Sequence, residues 1–418
     1  MKKSVGFCAA GLMLITVAAA FWIKPAADSR VADRTPFEAT PQLVEHGAYL
    51  ARAGNCAACH TDRGGAAFAG GNGISTPFGT VYTSNITPDP ATGIGSWSAS
   101  EFWRAMHHGR SADGRLLYPA FPYTEYTHIT RQDSDALYAY LMSQTPVQQP
   151  NKPHALRFPY SSQAALAVWR TLFFTPGEFQ ADSGKSAEWN RGAYLVRGLG
   201  HCQACHAPRN ALGATQDGQE LSGGSIPMQN WYAPSLASPQ EAGVQNWSTA
   251  EIVALLKNGV SPRDAAMGPM AEVVFGSTQH LNERDLQAMA VYLRDLPALP
   301  PAPATHGPVD SEALALGQRL YKNQCASCHG ESGEGRGEAY PALAGHRTAT
   351  MSSPSNLVRV ILTGGFPPTT AGNPRPYGMP PFGQSMSDAE VAAVASFVRT
   401  SWGNSAGPVA PLDVQRVR

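Results

Sequence analysis

Three short stretches carry the residue types with the most chemistry to offer: Cys56-Ala57-Ala58-Cys59-His60, Cys202-Gln203-Ala204-Cys205-His206 and Cys325-Ala326-Ser327-Cys328-His329. Residues three apart share a face of a helical turn, so each stretch presents two thiols together with an imidazole one residue on. Cys-x-x-Cys-His is the attachment signature of c-type haem. The thiols add across the two vinyl groups, and the adjacent histidine is placed to ligate the iron. Three other readings compete. Structural zinc needs four ligands at each site, and each segment holds two cysteines. A thioredoxin-like pair needs a βαβ setting that the flanks lack. Disulfides between such near neighbours would brace almost nothing. Covalent haem c at all three places is the expectation, with His60, His206 and His329 on the irons.

An electron-transfer haem takes a second axial ligand, and methionine raises its potential. The third segment offers Met379 in Gly378-Met379-Pro380-Pro381, with Met386 as fallback. The second offers Met270 after Gly268-Pro269, with Met267 as competitor. In the first, the matching loop reads Tyr118-Pro119-Ala120-Phe121-Pro122, and Phe121 holds the methionine's place. Met106 is the candidate there, three residues before Gly109 as Leu256 precedes Gly259 and Ile361 precedes Gly364. His107, His108, His128 and a five-coordinate iron stay open as alternatives.

The elements that must position these groups recur in one order, the mark of an internal repeat. A short helical stretch precedes each cysteine pair: 44–50, 190–195 and 316–321. A Gly/Pro-rich loop follows, then a middle helix ending at glycine (99–109, 249–259 and 356–364). A Pro-rich loop leads to a closing helix (133–143, 283–296 and 388–399) behind an N-cap at Thr130, Asn282 or Ser387. Gly47, Gly192 and Gly317 on the opening helices match Tyr140, Tyr292 and Phe397 on the closing ones, a pairing suited to a close crossing. The expected fold is all-α: three tandem cytochrome c-type domains at 37–148, 186–297 and 310–403. Residues 149–185 form a connector with an apolar stretch at 164–174, and 298–309 a Pro-rich linker. Residues 404–418 read as a short polar tail.

The 418 residues balance 31 Lys and Arg against 31 Asp and Glu. That balance argues against a nucleic-acid partner, which favours a basic excess. Charged residues are only 15% of the chain, below the ~25% of ordinary soluble domains. With 41 glycines and 34 prolines, the composition suits short loop-rich domains whose cores a bulky apolar cofactor helps to fill. Lys2 and Lys3 precede an apolar run from Val5 to Ile23, with small residues at Ala18–Ala20. This reads as a secretory signal over 1–20, or as an uncleaved membrane anchor. Cys8, the seventh cysteine, falls inside it.

The sequence resembles the triple-haem cytochrome c subunits of membrane-bound bacterial dehydrogenases, of the quinoprotein alcohol dehydrogenase and flavoprotein gluconate or sorbitol dehydrogenase types. Beyond the haem motifs, the resemblance rests on Phe102-Trp103-Arg104-Ala105-Met106-His107, Leu117-Tyr118-Pro119-Ala120-Phe121-Pro122-Tyr123, Glu188-Trp189-Asn190-Arg191-Gly192-Ala193-Tyr194-Leu195, Gly268-Pro269-Met270-Ala271-Glu272 and Tyr377-Gly378-Met379-Pro380-Pro381-Phe382. It spans about 40–403. It implies an electron carrier, not a catalyst, on the periplasmic side of the inner membrane. A large catalytic subunit (quinoprotein or flavoprotein) would supply electrons, a small third subunit would complete the complex, and ubiquinone or a terminal oxidase would accept. Many such proteins carry methionine where Phe121 stands. A haem enzyme with a reactive first haem, and a free soluble shuttle, are the alternative functions.

Overall fold

A computed structural model describes residues 37–300, 310–337 and 339–418. The N-terminal export segment, Cys8 and most of the Pro-rich linker lie outside the described residues.

Each segment is built on a crossing of its opening and closing helices. The opening helices are Pro41–Ala53, Ala187–Tyr194 and Ser311–Gln324, and the closing ones Arg131–Met142, Glu283–Arg294 and Asp388–Thr400. The matched glycines lie at the crossings. A Cβ on Gly47 would fall 1.9 Å from the Ala136 carbonyl oxygen and 2.7 Å from Tyr140 Cβ. On Gly192 the same atom would lie 2.0 Å from the Ala288 oxygen, and on Gly317 2.2 Å from that of Ala393. Only glycine lets helix backbones approach so closely. All three expected N-caps form: Thr130, Asn282 and Ser387 accept from the amides of Asp133, Asp285 and Glu390. The middle helices Ala99–His108 and Thr249–Asn258 each open on a Ser–Glu capping box and end at a left-handed glycine, Gly109 or Gly259.

The all-α expectation needs amending. Two small antiparallel sheets occupy the loops after the first and second cysteine pairs. Gly73–Thr76 pairs with Gly79–Tyr82, which pairs in turn with Ala155–Leu156 of the connector. Gly224–Ile226 pairs with Trp231–Ala233. Runs of two to four residues are too short for alternation to announce a strand. The connector also holds a helix, Gln163–Phe173. Residues 404–418 are not a loose polar tail. Pro411–Val417 is a helix whose Val414 and Val417 sit in the third segment's core beside Val391, Val394 and Ile361. Among the described residues no helix is long and apolar enough to cross a membrane.

Candidate haem-binding site

The three cysteine pairs lie at the ends of the opening helices. Gly54 caps the first, and Asn55, at φ 50°, turns the chain into the single turn Cys56–His60. The second helix passes through a π-helical turn, Leu195–Leu199, and His201 at φ 38° makes the same left-handed break before Gln203–His206. The third runs through Cys325 into Ala326–His329 without such a residue. All six sulfurs are free of disulfides. Burial first, and then the neighbouring Cys59 or Cys205, pushes the Cys56 and Cys202 thiols up to about 12. Burial thus disfavours the thiolate that a redox pair would use. Among the described residues, no group of three or more His, Cys, Asp or Glu is placed to hold a metal ion.

The histidines repeat one arrangement. His60 Nδ1 meets the Ser84 carbonyl at 2.7 Å, His206 Nδ1 that of Pro234 at 2.7 Å, and His329 Nδ1 that of Pro341 at 2.9 Å. A carbonyl oxygen only accepts, so Nδ1 carries the proton and Nε2 keeps its lone pair for a metal. Burial holds all three below the ordinary histidine range, which keeps the ring neutral. This is how a ligating imidazole is oriented and fixed in one tautomer.

A glycine locks each arrangement. The amides of Gly70, Gly223 and Gly335 each donate to the backbone carbonyl of that segment's histidine at 2.8 Å. The same glycines, at φ 73°, 88° and 73°, back onto the peptide that receives Nδ1. A Cβ on Gly70 would lie 2.4 Å from Ser84 C, one on Gly223 2.7 Å from Ser235 N, and one on Gly335 2.6 Å from Ala342 N. Sequence reasoning missed these six positions. The glycines follow their histidines by unequal intervals, so no fixed spacing marks them. The residues present thus fit a covalent haem: paired thiols on one turn, and a proximal imidazole with Nε2 unencumbered.

The sulfur candidates for the second axial position divide. Met270 and Met379 are half-buried, with surface left to offer. Met379 exchanges backbone hydrogen bonds with Gly365, just past the middle helix Ser355–Thr363. Met267 is engaged elsewhere, its methyl 3.2 Å from the place of a Cβ on Gly365 of the third segment. Met386 is core, 7% exposed. Met106 is also enclosed by protein, at 5% exposure against 8% for Leu256 and 6% for Ile361 at the matching helix positions.

The first two segments bind each other through swapped contacts. The Tyr49 hydroxyl donates to Asp285 at 2.6 Å, and the Tyr194 hydroxyl donates to Asp133 at 2.5 Å. His46 and Arg191 hold the same two carboxylates from within their own segments. The junction brings two attachment turns together. Cys59 has exposed surface, yet it is deep enough in the fold that desolvation raises its thiol, and Cys205 raises it further. The second and third segments join where the Asn356 amide takes both backbone groups of Tyr232, at 2.8 and 2.9 Å.

The family model for cytochrome c matches residues 44–145 and 314–402, and that for the cbb3-type cytochrome c oxidase subunit III matches 187–293. The chain is 41% identical over 403 residues to the cytochrome c subunit of a quinone alcohol dehydrogenase from Gluconacetobacter polyoxogenes, covering 92% of this chain and 86% of the relative. It is 39% identical to the gluconate 2-dehydrogenase cytochrome c subunit of Pantoea cypripedii, over 91% of this chain and 90% of that one. The chain belongs to this family of dehydrogenase cytochrome c subunits. It is an electron-transfer cytochrome carrying covalent haem c, not a catalytic enzyme. A nicotinate dehydrogenase subunit of Pseudomonas putida is 45% identical over 363 residues, which are 85% of this chain and 30% of that longer protein. A cytochrome of this type is thus also similar to part of a larger polypeptide.

Proposed function

We propose that this chain is a three-domain, triple-haem subunit. It takes electrons from a catalytic dehydrogenase that oxidises an alcohol, sugar or sugar acid, and delivers them to membrane ubiquinone or a terminal oxidase on the periplasmic side. Cys56 and Cys59, Cys202 and Cys205, and Cys325 and Cys328 attach the three haems. His60, His206 and His329 are the proximal ligands, and Met270 and Met379 the sixth ligands of the second and third. Bound haem supplies the one-electron redox chemistry. The chain sets axial ligation, burial and spacing. The observation that carries the reading is the thrice-repeated latch of histidine Nδ1 on a carbonyl with a glycine behind it. Such fixing suits a ligating imidazole, and together with its glycine it recurs at every cysteine pair.

The test has two parts. Pyridine haemochrome assay of the exported protein should give three haems per chain, and alanine at both cysteines of any one pair should leave two. Co-purified dehydrogenase should reduce the haems on addition of its substrate. A wild-type count below three, or a purified complex whose haems stay oxidised with substrate, refutes the proposal.

A further inference from the structure

The first two segments return from their middle helices in one register. The Leu117 amide donates to Gly109 O at 2.8 Å, and the Ala266 amide donates to Gly259 O at 2.7 Å. Each hydrogen bond closes a loop from the left-handed glycine that ends the helix. Four residues beyond the anchored amide stands Met270 in the second segment and Phe121 in the first. Counted from that bond, Phe121 takes the place of Met270, as it does in the sequence. Phe121 is half-buried. Its ring centroid is 5.4 Å from that of Tyr126, whose hydroxyl donates to Gly54 O, two residues before Cys56. The ring is thus packed toward the first attachment turn, in the methionine's place, with no atom able to ligate a metal.

Met106, the His107–His108 pair and His128 are each packed on protein. A coordinating sulfur must turn away from the protein, and Met106 is enclosed by it, as the aliphatic Leu256 and Ile361 are. His107 is 8% exposed, stacked on Trp103 at 4.3 Å and set edge-on to His108 at 4.6 Å. His128 sits at the junction with the second segment, its Cβ 3.6 Å from the place of a Cβ on Gly198.

We propose that the haem at Cys56 and Cys59 lacks a protein sixth ligand, and that its Phe121 side binds a neutral diatomic ligand such as carbon monoxide or nitric oxide. This rests on the haem-attachment reading above. The pairing of an apolar ring with an open iron selects the ligand class. Phe121 donates no hydrogen bond, so an anion entering there gains nothing from it, whereas a neutral π-acceptor needs only the metal bond.

The test uses the full-length exported protein. Haem is counted first, and the dithionite-reduced protein is then titrated with carbon monoxide and followed in the Soret band. The expected uptake is one carbon monoxide per three haems. Phe121→Met should supply the missing sulfur and weaken that uptake at least tenfold. Phe121→Leu and Met106→Leu should both keep it, which separates ligation from a folding defect. Three haems with no uptake, or undiminished uptake in Phe121→Met, overturns the open site and leaves attachment standing. So does uptake that first appears in Met106→Leu. A count lacking the first haem overturns both.

Discussion

Replacing Gly70 with alanine tests the latch on the proximal histidine. The residue stands at φ 73°, where a Cβ costs roughly 1–2 kcal/mol. Its new methyl would meet Ser84 C at 2.4 Å, Ser84 O at 2.5 Å and Asn85 N at 2.6 Å. All three are backbone atoms, and they are not free to withdraw. Asn85 is 1% exposed, and its side chain donates to Val147 O at 2.7 Å and accepts the Thr87 amide at 2.9 Å. Overpacking against such a wall adds about 1–3 kcal/mol, for a total of about 2–5 kcal/mol. Gly114 is the matched control: φ 86°, with nothing within 4 Å of its would-be Cβ. Gly114→Ala incurs the conformational cost alone, and the reduced freedom of the unfolded chain acts alike on both. Guanidinium unfolding of the haem-loaded variants should therefore place Gly70→Ala below Gly114→Ala by about 1–3 kcal/mol. A redox titration should also shift one haem in Gly70→Ala and none in Gly114→Ala, because the displaced carbonyl is the partner of His60 Nδ1. Equal midpoints for the two variants would refute the reasoning.

The swapped tyrosines should be unequal. Tyr194 gives its hydroxyl to Asp133 and accepts the Thr130 amide at 3.2 Å in a buried setting, so Tyr194→Phe should cost about 1.5–3 kcal/mol. Tyr49→Phe should cost less, because Asp285 keeps both hydrogen bonds from Arg191, at 2.8 and 2.7 Å; melting curves in the reverse order contradict this. Glu125, 2% exposed, gives a pH signature. Burial pushes its carboxyl above the ordinary 4.5, against the lowering effect of hydrogen bonds from Thr124 and Gln203. The folded chain then holds the proton more tightly than the unfolded one, so the stability this group contributes is full below 4.5 and falls as pH rises through the raised value. Glu125→Gln should be more stable than wild type at pH 8, with the gap closing by pH 4.5, and a gap that widens on acidification would be the wrong sign.

Much of this architecture was readable from residue types at fixed intervals. The cysteine pairs, the three N-caps and the glycine–aromatic crossings all depend on neighbours in one helix or on one recurring pattern. What escaped depends on partners far apart in the chain. Ser84, Pro234 and Pro341 act through backbone carbonyls, so their side chains leave no trace of the role. Asp133 and Asp285 stand in the first turns of their helices, a place acids favour in any case, yet each is half of a contact with the other segment. In the tail, Val414 and Val417 are three apart and share the buried face of Pro411–Val417, a helix too short for its period to stand out in the sequence.

The same repeat explains why the first two segments pair with each other and the third does not join them in that way. Around the crossing glycine the first reads His46-Gly47-Ala48-Tyr49 and the second Arg191-Gly192-Ala193-Tyr194, but the third reads Leu316-Gly317-Gln318-Arg319. The basic residue before the glycine holds its own segment's aspartate, and the tyrosine two residues after it reaches across to the other's. Each half supplies what the other receives, so the contact is self-complementary, as in a two-fold interface between identical chains. In the third segment both positions have changed, Arg319 is exposed, and Glu390 at the matching place folds back onto Ser387 in a capping box. That segment docks through its middle helix instead, with Asn356 on the Tyr232 backbone and Arg359 over the Trp231 ring. The two junctions therefore differ in kind. The first draws the Cys59 and Cys205 turns close enough to share their fields. The second joins the loops that follow the middle helices, Met267 meeting Gly365. The central segment takes part in both junctions.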